Sequence, residues 1–173
     1  MAGRIAVVDA VNRFVRWEDR RTIHEQALVH RSIHVLLFDS SGRLLIQRRH
    51  ASKQTYPRYW DVSCAGHVEE SDYLGGPDDR LDEVYAAVAA REVDEELGVT
   101  PVLDRVGSFR PEPGVHYEQI QLFRGVSDGP FTLQPDEVEE HTMLDRQAWS
   151  AFLAGSEFIT QTLRWWLGWL GKP

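Results

Sequence analysis

The segment "AAREVDEELGV", residues 89 to 99, places Glu92, Glu95 and Glu96 within five consecutive positions, with Asp94 among them. A helix stacks side chains three and four positions apart, so these carboxylates would crowd one another. Left alone, each like-charge pair costs roughly 0.2–0.5 kcal/mol. Partial burial would cost more or force a proton onto the acids. Yet residues 82–97 are the best helix candidate in the chain, with Asp82 as a capping acid and Gly98 as the stop. At about 100° per residue, Ala86, Ala90, Val93 and Leu97 form one apolar stripe, and the glutamates fall roughly 130° away from it. Val84 and Val88 lean towards the acidic side, which predicts cover on that side too. Any fold for this chain must seat such a helix between layers while keeping three acids on its flank.

The rest of the chain supplies strands for those layers. "GRIAVVD" reads as a short strand, and "SIHVLLFDSSGRLLIQRR" as a hairpin about a Ser-Ser-Gly turn. "YWDVSCAG" reads as a further strand ended by Gly66, and "TPVLDRVGSF" and "HYEQIQLFRGV" as two more. "LDRQAWSAFLAG" predicts a helix capped by Asp145 and stopped by Gly155, and "GSEFITQTLRWWLGWLG" a last helix capped by Ser156. Strands flanking one helix, with helices following, point to an α+β or α/β arrangement. The 173 residues fit one domain over 1–173, with C-terminal helices at about 146–170.

Composition narrows the chemistry. A net charge of −8 disfavours general nucleic-acid binding, which depends on Lys and Arg neutralising phosphates. One cysteine, Cys64, excludes an intrachain disulfide. No apolar run approaches the roughly 18 residues of a membrane span, and Asp9 interrupts any signal-peptide core. A cytoplasmic location is the expectation. An acidic protein can still hold a polyphosphate if divalent cations stand between the two sets of anions. Mg²⁺, or Mn²⁺ in its place, takes oxygen ligands and is shared between carboxylates and substrate phosphates. That reading gives the stacked glutamates a purpose; the competing one is a solvated acidic face.

The neighbours of the glutamates decide between the two. Glu83 is followed by seven residues and then by Arg91-Glu92-Val93-Asp94-Glu95-Glu96-Leu97-Gly98-Val99. From Glu83 onward this resembles, without a mismatch, the Nudix box, Gly-x5-Glu-x7-Arg-Glu-U-x-Glu-Glu-x-Gly-U with U aliphatic. The resemblance extends from about Ile33 to Leu144. It implies an α/β/α sandwich of the α+β class, with a mixed sheet and a central catalytic helix between layers. It implies that Glu92, Glu95 and Glu96 bind the metal, that Gly66 offers its carbonyl, and that Arg91 orients the acids by pairing with Glu83. One departure is plain: 16 residues separate Gly66 from Glu83, where the family has five. The box region 66–99 thus carries an insertion near 70–80, within "EESDYLGGPDDRLD", tolerated cheaply as a loop.

Outside the box the chain looks like the branch that includes isopentenyl-diphosphate isomerase. The segments "LVHRSIHVLLFDSSGRLLIQRR", "SKQTYPRYWDVSCAGHV" and "HYEQIQLF" carry this likeness. By it, His30 and His67 stand where two metal-binding histidines should be, and Glu118 where the catalytic Glu should be. A third histidine position falls on Ile23, with His24 one residue away. The isomerase's catalytic Cys falls on Ala65; Cys64, one residue earlier, should point to the other face of its strand. With the box intact, hydrolysis of a diphosphate linkage in a nucleoside diphosphate derivative or related small molecule is the expectation. An allylic isomerase and a non-catalytic ligand-binding module remain the alternatives.

The general base falls to Glu118, with Glu137, Glu139 and Glu140 of "PDEVEEHTML" as alternatives of loop character. In "QRRHASKQTYPRYW", Arg49 and Lys53 are expected to grip substrate phosphate, and His67 to touch substrate or metal. Arg48 and Arg58 read equally well as solvated charges. Trp165, Trp166 and Trp169 point to core or homodimer packing rather than to a membrane.

Overall fold

The structure, a computed structural model, describes residues 3–172. Its organising element is β3 (His30–Phe38), buried at all nine positions, so both of its faces require cover. On one face Ile33, Val35 and Leu37 pack with Cys64 and Phe123 against Val84, Val88, Val93 and Leu97 of α2 (Leu81–Leu97). On the other, Leu36 and Phe38 pack against Trp149 of α3 (Trp149–Gly155) and against Leu163, Trp166 and Leu167 of α4 (Gln161–Leu170). This is an α/β/α sandwich of the α+β class. Its sheet is mixed: β3 runs parallel to β8 (Glu118–Val126), but antiparallel to β1 (Arg4–Val8) and β6 (Cys64–His67). Outer pairs complete nine strands among the described residues. β2 (Phe14–Asp19) lies on β1, and β7 (Leu103–Phe109) on β8. β5 (Trp60–Asp61) and β9 (Val138–Leu144) flank β4 (Leu44–Arg49).

The predicted hairpin meets only at its tip, Phe38 opposite Leu44. Beyond it the Ser63 hydroxyl wedges in, accepting from Leu37 N–H at 2.9 Å and donating to the Leu45 carbonyl at 2.6 Å. The same kink divides "YWDVSCAG" into β5 and β6. β2 and α1 (Arg20–Glu25) arise from a stretch the sequence reading left without elements, and the "PDEVEEHTML" segment forms β9 rather than a loop.

Helix α2 is rotated from the expected orientation. Val84, Tyr85, Val88 and Ala89 are buried with Val93 and Leu97, whereas Ala86 and Ala90 are exposed. Burying the larger aliphatic side chains removes more apolar surface from water, and the alanine stripe loses that competition. Asp82 does not cap the helix. Arg80, at φ 50°, occupies that position, and Asp82 pairs with Arg105 at 3.0 Å from the first turn. Gly98 ends α2 with φ 65°, where a Cβ would be strained. The last helix is capped by Thr160, not Ser156, because Phe158 to Thr160 first run along β5. Asp145 accepts from Gln147 N–H and so caps the short 3-10 turn Arg146–Ala148 that leads into α3, whose own N-cap is Ala148.

The insertion is ordered by one buried cation. Arg31, fully buried on the α2 face of β3, spends every guanidinium donor. It donates to the side chain and carbonyl of Asn12 (2.9 and 2.7 Å), to the Tyr73 hydroxyl (3.2 Å), to the Pro77 carbonyl and to Asp78 (2.5 Å). A turn of β1–β2 and the inserted loop are thereby pinned to the central strand. Arg31→Leu is expected to destabilise the fold by about 3 kcal/mol in urea melts, since it strands several buried polar groups. It should also open the 70–80 segment to trypsin at Arg80. Unchanged cleavage and stability would show that the loop holds itself.

Candidate active site

The last turns of α2 lie beside β6, and one missing side chain sets how close they come. A Cβ built on Gly66 would sit 2.4 Å from the carboxyl carbon of Glu92. The acid rests on bare backbone there, largely buried, with Arg91 at 2.9 Å. Burial pushes Glu92 up to about 7, against the pull of Arg91 and with Glu96 and Glu95 adding to the rise. Glu96 is also buried, and burial raises it as well. Gln47 of β4 donates to it at 2.9 Å, and the Cys64 thiol touches it from the core side. Glu95 is half exposed and reaches Arg91 at 3.2 Å. The three acids line a cavity of about 130 Å³ together with Gly66, His67, Arg20, Lys53 and Glu137.

Arg91 does not pair with Glu83. Glu83 is exposed and bonds Arg80 at the helix start, whereas Arg91 reaches Asp72 of the insertion at 3.4 Å. The inserted loop passes across the helix and presents its own acid where the family pattern supplies Glu83.

A second cavity, of about 310 Å³, shares Gly66, His67 and Lys53 with the first and is lined also by His24, His30, His34, His116 and Glu118. The parallel register sets His30 beside Glu118, and the antiparallel one brings His67 opposite Ser32. One ligand atom from each of His30, His67 and Glu118 lies within 4.8 Å of the others. His24 of α1 closes the group, its ring centroid 5.3 Å from that of His67 and 5.9 Å from that of His30. It is thus His24 that joins the cluster, and Ile23 is core.

Protonation follows from the partners. His30 Nδ1 shares a 2.8 Å bond with the Leu28 carbonyl, which only accepts, so Nδ1 carries the proton and Nε2 is a bare lone pair. That Nε2 is buried without a hydrogen-bond partner among the described residues, as is His67 Nε2. Burial pushes His67 well below the usual histidine range, and the nearby Arg20 charge adds to it. Glu118 is held well below the usual carboxylate range: burial pulls it up, but the bond from His34 and the surrounding histidines outweigh that. Imidazole nitrogens beside a carboxylate form a donor set suited to a divalent transition ion, which binds the neutral form of each ring.

Lys53 and Arg49 both line the larger cavity. Lys53 is ion-paired with Glu137, and Arg49 is braced by Asp61 at 3.1 Å. Glu139 and Glu140 are taken by Arg48 on the outer strands and line neither cavity. Ala65 lines both cavities, whereas Cys64 belongs to the α2-side core. The residues that sequence reasoning passed over are Asp72, Arg20, His34, Gln47 and His116. "HRSIH" did carry a signal, since residues two and four apart on a strand share a face.

Glu92 also gives the metal-free fold a pH dependence. Unfolded, it titrates near 4.5; folded, near 7. Between those values the folded chain keeps a proton that the unfolded chain has lost, so its contribution to stability falls as pH rises. In EDTA, Glu92→Gln should therefore gain on wild type from pH 5 to pH 8, by up to about 3 kcal/mol in urea melts. A constant difference would contradict this.

The NUDIX domain family matches residues 28–165. An uncharacterized Nudix hydrolase of Pseudomonas aeruginosa is 38% identical over 138 residues, covering 79% of this chain and 75% of that protein. An isopentenyl-diphosphate Delta-isomerase of Serratia proteamaculans is 31% identical over 148 residues, covering 83% and 76%. In fold, a crystal structure of a Deinococcus radiodurans protein superposes with a TM-score of 0.78 over 98% of this chain and 99% of the other, at 23% identity. The chain belongs to the Nudix family, on a branch shared with isopentenyl-diphosphate isomerases.

Proposed function

We propose that this protein is a divalent-metal-dependent hydrolase that cleaves a diphosphate linkage in a nucleoside diphosphate derivative or related small molecule. The observation that carries the reading is a pair of carboxylates, Glu96 buried and Glu92 largely so, facing a cavity beside Glu95. Two acids raised by burial fit a hard cation, which would replace the proton each otherwise tends to keep. Mg²⁺ or Mn²⁺ held by Glu92, Glu95, Glu96 and the Gly66 carbonyl would offset phosphate charge and make a bound water more acidic. The histidine cluster, with its bare His30 Nε2, fits a second, softer ion.

The chain's own groups do the rest. Arg91, steadied by Asp72, keeps Glu92 and Glu95 oriented. Lys53 and Arg20 line both cavities and Arg49 the larger one; these cations would hold phosphate oxygens, with Arg able to grip two at once. Glu118, on the wall of the larger cavity, would take the proton from water through whichever oxygen the histidines leave free. Glu137 shares the cavity, but Lys53 engages it.

The likeness to isomerases favours a second reading, proton transfer on an allylic diphosphate. Ala65 on the cavity wall weighs against it, because the thiol that such chemistry uses is one residue away, inside the core.

A panel of nucleoside, sugar and isoprenoid diphosphates with Mg²⁺ or Mn²⁺, read by phosphate release, tests the proposal. On the best substrate Glu96→Gln should lower kcat about 100-fold or more while leaving the fold intact. Deuterium entering substrate carbon without phosphate release would overturn hydrolysis in favour of isomerisation. The insertion yields a separate expectation: Asp72→Asn should lower kcat about tenfold, and Glu83→Gln should stay within about twofold of wild type. The reverse order would restore Glu83 as the partner of Arg91.

A further inference from the structure

Trp166 of α4 is fully buried, and its indole N–H donates to His34 Nδ1 at 2.8 Å. An indole N–H can only donate, so His34 Nδ1 is bare and the ring proton of a neutral His34 sits on Nε2. That N–H faces Oε2 of Glu118 at 3.4 Å. His30 carries the opposite tautomer, and its bare Nε2 faces the other carboxylate oxygen, Oε1, at 3.8 Å. The two oxygens of Glu118 therefore meet unlike partners: Oε2 a donor, Oε1 a lone pair. A lone pair and a carboxylate oxygen repel unless a cation or a proton lies between them.

We propose that Trp166 and His34 are positioning residues for Glu118. Trp166 sets the His34 tautomer, His34 holds Oε2, and Oε1 is left as the oxygen directed towards His30 and His67. The assignment of a cation to Oε1 rests on the histidine cluster being a metal site; the assignment of Oε2 does not. The framework around the chain is stiff. Trp166 packs among Phe109, Trp165 and Trp169, with ring centroids 4.8, 4.5 and 5.6 Å away. His34 is itself 2% exposed. The C-terminal helix thus does more than pack: through His34, which lines the larger cavity, it bears on the orientation of Glu118.

The test uses full-length, metal-free, 15N-labelled protein. Two-bond nitrogen–proton spectra of the histidines should show His34 as the Nε2–H tautomer; the Nδ1–H tautomer would overturn the proposal. His34→Gln can still accept from Trp166 and donate to Glu118, whereas His34→Leu can do neither. The Glu118 carboxyl 13C shift should therefore move in His34→Leu and hold in His34→Gln. Mn²⁺ affinity at the cluster, taken as the part lost in His67→Ala, should fall about tenfold or more in His34→Leu and stay within about threefold in His34→Gln. Equal carbon shifts in both variants would overturn the positioning role, as would a large loss in His34→Gln. Trp166→Phe should release His34 into mixed tautomers; if that variant does not fold, the Gln and Leu pair decides alone. If wild type shows no Mn²⁺ uptake that depends on His67, the metal reading of the cluster fails. The tautomer and carbon shifts then still judge the chain from Trp166 to Glu118.

Discussion

Close approach of α2 to β6 is the constraint on which the site depends. Glu92 occupies space that any side chain at residue 66 would fill. Because the acid lies against backbone, it is shielded from water and its negative charge becomes costly. A helix flank that repels itself is tolerable on a surface. Brought against a strand, it requires a counter-charge, and among the described residues Arg91 alone lies within ion-pair reach of both Glu92 and Glu95. The buried apolar face of α2 supplies the force that holds the acids in this position, since Val84, Val88, Val93 and Leu97 cannot leave the core without dragging the carboxylates away.

The second end of the site is built by register rather than by a helix. His30, His67 and Glu118 come from three strands that meet on β3, and each is placed by backbone pairing. Fixed strand spacing brings their side chains within one ion's reach without any of them being neighbours in sequence. The two ends differ in chemistry, carboxylate oxygen at one and imidazole nitrogen at the other, and Lys53, Arg20 and Gly66 line both cavities. Such a layout suits a ligand with charge along its length.

Much of the acid bed was legible because a helix translates spacing directly into proximity. Glu92, Glu95, Glu96 and Arg91 needed only the box pattern. The partner of Arg91 was not legible, because an insertion can bring any of its own acids across the helix; Asp72 does so, and Glu83 is left with Arg80. His24 was one residue out of register, a difference that a short helix such as α1 absorbs and an alignment does not. The alanine stripe misled because geometry ranks faces only after side-chain size is weighed. His34 stood in plain view in "HRSIH", but its partner Trp166 lies on the last helix, and no local pattern announces such a contact. β9 was hidden by its charges, which are those of an outer strand with Arg48 bonded to Glu139 and Glu140.

The burial of β3 also bears on how the chain is made. Its nine enclosed residues gain their parallel partner only when β8 arrives, about half the chain later. During synthesis the strand waits with unpaired amides and carbonyls and two apolar faces, a state prone to wrong pairing. Contacts so distant in sequence are slow to close. The central strand is therefore the segment for which a nascent chain would most need shelter before its later neighbours emerge.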